Sequence, residues 1–276
     1  MKQQLKLIFI SLVFFNTNIY AHFQMLYTPE LALEKGQSIQ VKQVFTHPFE
    51  DKYTLNMGKQ HDKKEFKEVD EFYVINRKKK TDLKKSLKAI SFKGNVNSGQ
   101  AYSLKYKARK MGDHIMVLKA APFYEENQDI YIQQIVKTIV NVAAAPTNWD
   151  SDLNLDAEII PLVKPYAIWE GSNFTGIVKA QGKAIPYAKV DITYLNRDIN
   201  INNNSMGKDK IKAPNKVFIT LSIKANKNGE FNFTIPKAGF WGFAAQDLNK
   251  NKTYKGKKLK QDALIWVQAK AMSEIK

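Results

Sequence analysis

The sequence predicts an all-β protein, and three observations carry that prediction. Apolar residues recur at every second position in several stretches. Tyr102, Leu104 and Tyr106 do so in QAYSLKYKA, Ala188, Val190, Ile192 and Tyr194 in YAKVDITYL, and Phe231, Phe233 and Ile235 in EFNFTI. Such alternation turns one face to a core and the other to water, as in a half-buried strand. Asn228-Gly229 stands between VFITLSIKA and EFNFTI, a two-residue hairpin signal because both central positions favour positive φ. No stretch beyond residue 21 keeps a helical period over three turns.

Taken in chain order, residues 1–21 read as a secretory signal. Lys2 and Lys6 precede the apolar run LIFISLVFF, and Ile19 and Ala21 occupy the −3 and −1 positions of a small-residue exit. The run is too short to span a bilayer, which takes about 20 residues. Cleavage between Ala21 and His22 is expected, with a periplasmic destination. Losing Lys2 and Lys6 and no acid lowers the net charge from +17 to +15.

Residues 22–142 are expected to form an N-terminal β-sandwich and 158–276 a C-terminal one, the two being consecutive immunoglobulin-like domains. Between them, AAAPTNWDSDLNLDA (143–157) breaks the apolar run IYIQQIVKTIVNV with a proline and three aspartates and is expected to be a linker. The asparagine-rich RDININNNSMGKDKIKAPN (197–215) reads as a long polar loop.

Composition excludes several classes. The chain has no cysteine, which removes disulfides, thiolate metal sites and cysteine nucleophiles. Its positive charge would suit nucleic acid, but the lysines are dispersed. The densest run, RKKKTDLKKSLK (77–88), carries no aromatic residues to stack on bases. It reads as a solvated face, with weak contact to anionic membrane headgroups as the alternative. HExxH, G-x-S-x-G and a glycine-rich phosphate loop are all missing, so no enzyme is predicted.

The four histidines, His22, His47, His61 and His114, all lie before residue 143. Cleavage after Ala21 would give His22 a free α-amine beside its imidazole, two nitrogens able to chelate one metal ion. His47 precedes Pro48, which lacks an N–H and places it at a strand end. His114 opens an apolar strand after Gly112-Asp113. His22, His47 and His114 are therefore the candidate metal ligands, grouped at one pole of a sandwich. The competing reading makes each a satisfied surface or core histidine, and His61, within GKQHDKKEFKE, is expected to stand apart.

Five stretches together resemble a known family: HFQMLYTPE, THPFE, GDHIMVLKAAPFYEENQDIYIQQIVKTIVNV, EIIPLVKPYAIWEGSNFTGIVKAQGKAIPYAKVDITYLN and NGEFNFTIPKAGFWGFAA. They look like the domain of unknown function 4198 family, periplasmic proteins associated with energy-coupling-factor-type nickel and cobalt uptake transporters. The resemblance implies nickel or cobalt as cargo, with copper or zinc chemically suited too, and membrane transporter subunits as partners. His22 and the His47-Pro48-Phe49-Glu50 run match the family's N-terminal histidine and its Gly-His-Pro-type element. Thr46 stands here in place of the glycine, and Gln133-Gln134 where relatives carry a histidine.

Metal binding is accordingly expected within 22–142, with 158–276 as a scaffold or docking surface. Two other classes compete. One is a metal-free immunoglobulin-like adaptor or carbohydrate-contacting module with aromatic platforms. The other is a copper chaperone using Met25, Met57, Met111 or Met116 with histidine.

Overall fold

A computed structural model of the chain describes residues 22–50, 53–61, 66–249 and 251–273. The expected signal segment, 1–21, lies outside the described residues. Strands dominate, and the helical turns among the described residues are the short 3-10 segments Lys84–Ser86 and Lys216–Phe218. The fold is all-β.

Three sheets are formed by the described residues. The first runs in the order Phe23–Tyr27, Gln37–Thr46, Ser98–Ala108, Lys88–Lys93, Ser205–Asp209, Arg197–Asn200. The second has 12 strands, its main path running Leu221–Lys224, Lys189–Tyr194, Gly239–Ala245, Lys257–Lys270, Ile130–Val142, Gly112–Lys119, Glu71–Asn76, Lys79–Asp82. The third joins Glu158–Pro161, Asn173–Ala180 and Lys183–Ala184, with Glu230–Thr234 alongside.

The 12-stranded sheet joins the two halves of the chain. Ile130–Val142 pairs in parallel with Lys257–Lys270, from Tyr131 opposite Leu259 to Thr138 opposite Trp266. Ile130–Val142 is buried on nearly every residue, and Lys257–Lys270 is buried through its middle. A central strand covered on both faces loses alternation and reads as a continuous apolar run, which is what IYIQQIVKTIVNV is. One apolar core extends from Phe23 to Ala269 across both halves. In the C-terminal half, Phe174 of the small sheet meets Phe243 of the large one at 4.5 Å between ring centroids. The 143–157 segment therefore divides the sequence, while sheet and core run past it. It is also tied down. Burial alone would raise the Asp113 carboxyl, but hydrogen bonds from Asn141 and the Thr147 and Asn148 amides hold it below the ordinary value.

Two local expectations change. Asn228-Gly229 does not close a hairpin between its flanking strands. Leu221–Lys224 pairs with Lys189–Tyr194 in the large sheet, whereas Glu230–Thr234 pairs with Asn173–Ala180 in the small one. The turn instead carries the chain from sheet to sheet: Gly229 alone of the two has positive φ (78°), and its N–H donates to Asn226. The polar segment 197–215 is not a free loop either. Arg197–Asn200 pairs with Ser205–Asp209, and this hairpin docks on the N-terminal sheet with Ser205 opposite Lys93. The Lys93 N–H donates to the Asn204 carbonyl at that junction.

Candidate functional site

The antiparallel register of Phe23–Tyr27 on Gln37–Thr46 starts with Phe23 opposite Thr46. One step outward, that register sets His22 against His47. Their ring centroids lie 4.4 Å apart with planes inclined by 48°. The edge of Phe45 packs on His22 at 5.7 Å. The backbone here is held firmly. The Gln134 side chain donates to the His22 carbonyl at 2.8 Å and accepts from the Gln24 N–H at 2.7 Å. A terminus beginning at His22 would thus be pinned to the central strand rather than frayed.

His47 is 9% exposed, and the turn after it is gripped from the C-terminal half. The Asn196 N–H donates to Pro48, and its side-chain amide to Phe49. The Arg197 guanidinium donates to the Phe49 carbonyl at 3.1 Å and the Glu50 carbonyl at 2.8 Å, and pairs with Asp209. Arg197 is one of three arginines in a lysine-rich chain. A rigid planar fork retained among lysines was the one signal that could have marked it, because bidentate binding is what lysine cannot supply.

Beside His22 opens a cleft of about 180 Å³ on the seam of the two halves, lined by Glu125, Gln134, Gln246, Asp247 and Asp262 among others. His22 Nδ1 lies 3.8 Å from Glu125 Oε2. Burial lowers the His22 imidazole below the ordinary histidine value, with Glu125 opposing. Burial also pushes the Asp262 carboxyl up to about 6, although the Asp247 N–H and Gln134 amide donate to it. The expectation that the site belongs to 22–142 alone missed this. Asp262 sits in the apolar run of Lys257–Lys270, where a single acid reads as a strand residue.

His114 does not join the pair. It lies beside Val140, six residues along the strand from Gln134, which is about 20 Å at 3.3 Å per residue. Both of its ring nitrogens are engaged. Tyr106 Oη sits 2.8 Å from Nδ1 and the Lys110 carbonyl 2.8 Å from Nε2. It is a core histidine, satisfied by its neighbours. His61 is exposed and packs edge-on against Tyr124 at 4.5 Å. Met25, Met57 and Met116 are each at most 1% exposed in the apolar core, and Met111 alone of the four faces solvent. Among the described residues, no three His, Asp or Glu side chains lie close enough together to hold a metal ion.

Fold and site together define an all-β protein with a paired-histidine N-terminal edge. The chain belongs to the family described as Domain of unknown function (DUF4198), whose model matches residues 19–247. No curated protein matches it. Among solved structures, it is similar to the D0-D1 domain of Intimin, at 12% identity and a TM-score of 0.21, covering 90% of this chain and 100% of that one. It is also similar to the titin Ig tandem A164-A165, at 10% identity and a TM-score of 0.20, covering 92% and 98%. The adhesin InvE of Yersinia pseudotuberculosis matches at 11% identity and a TM-score of 0.22, covering 88% and 58%.

Proposed function

We propose that the mature protein is a periplasmic carrier of a divalent transition-metal cation, nickel or cobalt, which it delivers to a membrane uptake transporter. The observation that carries this reading is the 4.4 Å approach of the His22 and His47 rings. With metal–nitrogen bonds of 2.0–2.1 Å, an imidazole centroid lies about 3.2 Å from its ion, so two rings bound at a right angle stand about 4.5 Å apart. Signal cleavage would add the α-amine of His22, closing a chelate with its own ring. Lowered by burial, the His22 imidazole is neutral at neutral pH and its lone pair is available to a cation. The reading assigns no catalytic step to the protein.

Nitrogen donors without thiolates suit nickel, cobalt, copper and zinc. The affinity order favours copper over nickel in such a site. Cargo identity would then follow from metal supply and from the transporter, not from the ligands. The test is calorimetric titration of the chain beginning at His22 with Ni²⁺, Co²⁺, Cu²⁺ and Zn²⁺. Stoichiometric binding of nickel or cobalt at micromolar Kd or tighter is expected. Failure of all four ions to bind in that range would overturn the reading.

A further inference from the structure

A second polar cleft lies on the far face of the N-terminal sheet, and nothing in the metal reading uses it. Register places Lys42 opposite Ser103 and Ser103 opposite Lys88, on three adjacent strands. Side chains at registered positions share a face, so the two lysines flank Ser103, and Lys105 lies two residues further along the same face. Val41 and Leu104, the alternating neighbours, are buried in the core. The asparagine-rich hairpin of the C-terminal half roofs this face and leaves a cleft of about 400 Å³. No aspartate or glutamate lines it.

Lys42 makes the cleft unusual. It is only 4% exposed, and its ammonium donates to the neutral Asn204 Oδ1 at 2.5 Å. No described carboxylate pairs with it, with Lys88 or with Lys105. Burying an ammonium without a counter-ion is costly, and burial holds Lys42 below the ordinary lysine value. A methionine or leucine would pack there at no such cost. Clefts lined by one sign of charge with low-dielectric walls focus potential and concentrate the opposite ion. Lysine serves well as a point charge for phosphate, and the amide and hydroxyl groups of Asn202, Asn204 and Ser103 add neutral hydrogen-bonding partners.

We propose that the cleft over Lys42, Lys88 and Lys105 binds a phosphate-bearing anion, the hairpin 197–209 serving as its roof. The phosphate can come from a soluble solute or from a phospholipid headgroup, and two arms of one experiment separate these sources. In the first, the chain beginning at His22 is titrated with inorganic phosphate, with chloride at matched ionic strength as reference. In the second, it is sedimented with phosphatidylglycerol vesicles and with phosphatidylcholine vesicles.

Saturable phosphate binding is expected, weakened at least tenfold by Lys88→Ala/Lys105→Ala, whose side chains are exposed. Lys42→Met should weaken it as much while leaving the melting temperature unchanged or higher. Binding to phosphatidylglycerol vesicles alone, lost in the same variants, would support the proposal with the lipid as source. Absence of both, or binding that survives both variants, would overturn it and leave Lys42 as an anchor for Asn204.

Discussion

Lys137 Nζ lies 2.7 Å from Glu158 Oε1, and the two side chains are 2% and 1% exposed. This ion pair fastens the central strand of the large sheet to the first strand of the small one. Glu158 also accepts the N–H groups of Leu153 and Leu155, so the end of the 143–157 segment is drawn into the same lock. Burial lowers the Lys137 ammonium, and Glu158 works against that.

Removing one partner strands a charge in the core. Lys137→Met and Glu158→Gln are each expected to cost about 3–5 kcal/mol. The double variant should cost much less than the sum of the two, since no buried charge is then left unpaired. Urea unfolding of the three variants measures this. Additive losses would mean that the pair does not act as one unit.

The strands of this fold were readable where one face meets water, as at Tyr102–Lys107, because alternation is a local signal. The pairing of Ile130–Val142 with Lys257–Lys270 was not, because a parallel partner more than 120 residues away leaves no mark on either segment. The same holds for the site. His22 and His47 could be named as candidates from a cleavage point and a proline, and the register then brings them together. Asp262 could not be named, because its role arises only where the two halves meet. His114 had the right residue type, but its neighbours Tyr106 and Lys110 already occupy it.

Asp262 makes a pH prediction. Its folded carboxyl is raised from 3.8 to about 6, so the folded state holds a proton that the unfolded chain gives up. That contribution to stability is present in full below about pH 4 and is lost as pH rises through about 6. Asp262→Asn should flatten the wild-type difference in unfolding free energy between pH 4.5 and pH 7.5, by about 2 kcal/mol. Other acids, such as Asp156 at about 2, titrate alike in both proteins and cancel in the comparison. An unchanged pH profile would place the carboxyl near its ordinary value.

His47 and His114 separate metal binding from stability. His47→Ala is expected to weaken nickel binding about 10- to 100-fold, equivalent to about 1.4–3 kcal/mol. His114→Ala should leave nickel affinity within about twofold of wild type. It takes the partner from the half-buried Tyr106 hydroxyl and from the Lys110 carbonyl and should cost about 1 kcal/mol of stability or more. Calorimetry and thermal unfolding on the same preparations give both readouts. Equal loss of nickel affinity in the two variants would contradict the placement of His114 as a core residue.

The position of the amine can be tested without touching a side chain. If His22 binds through its amine and its ring, the chelate exists only in a chain that begins at residue 22. One glycine added before His22 moves the amine out of reach while the Gln134 bonds to His22 and Gln24 still hold the strand. Nickel affinity should fall about 10- to 100-fold, close to the effect of losing one nitrogen ligand, and the melting temperature without metal should not change. Mass spectrometry of each preparation confirms the first residue. Equal affinities of the native-start and extended chains would exclude the amine and leave the two rings to bind alone. A fall matching His22→Ala would show that amine and imidazole act together, so that loading is confined to the exported, processed protein.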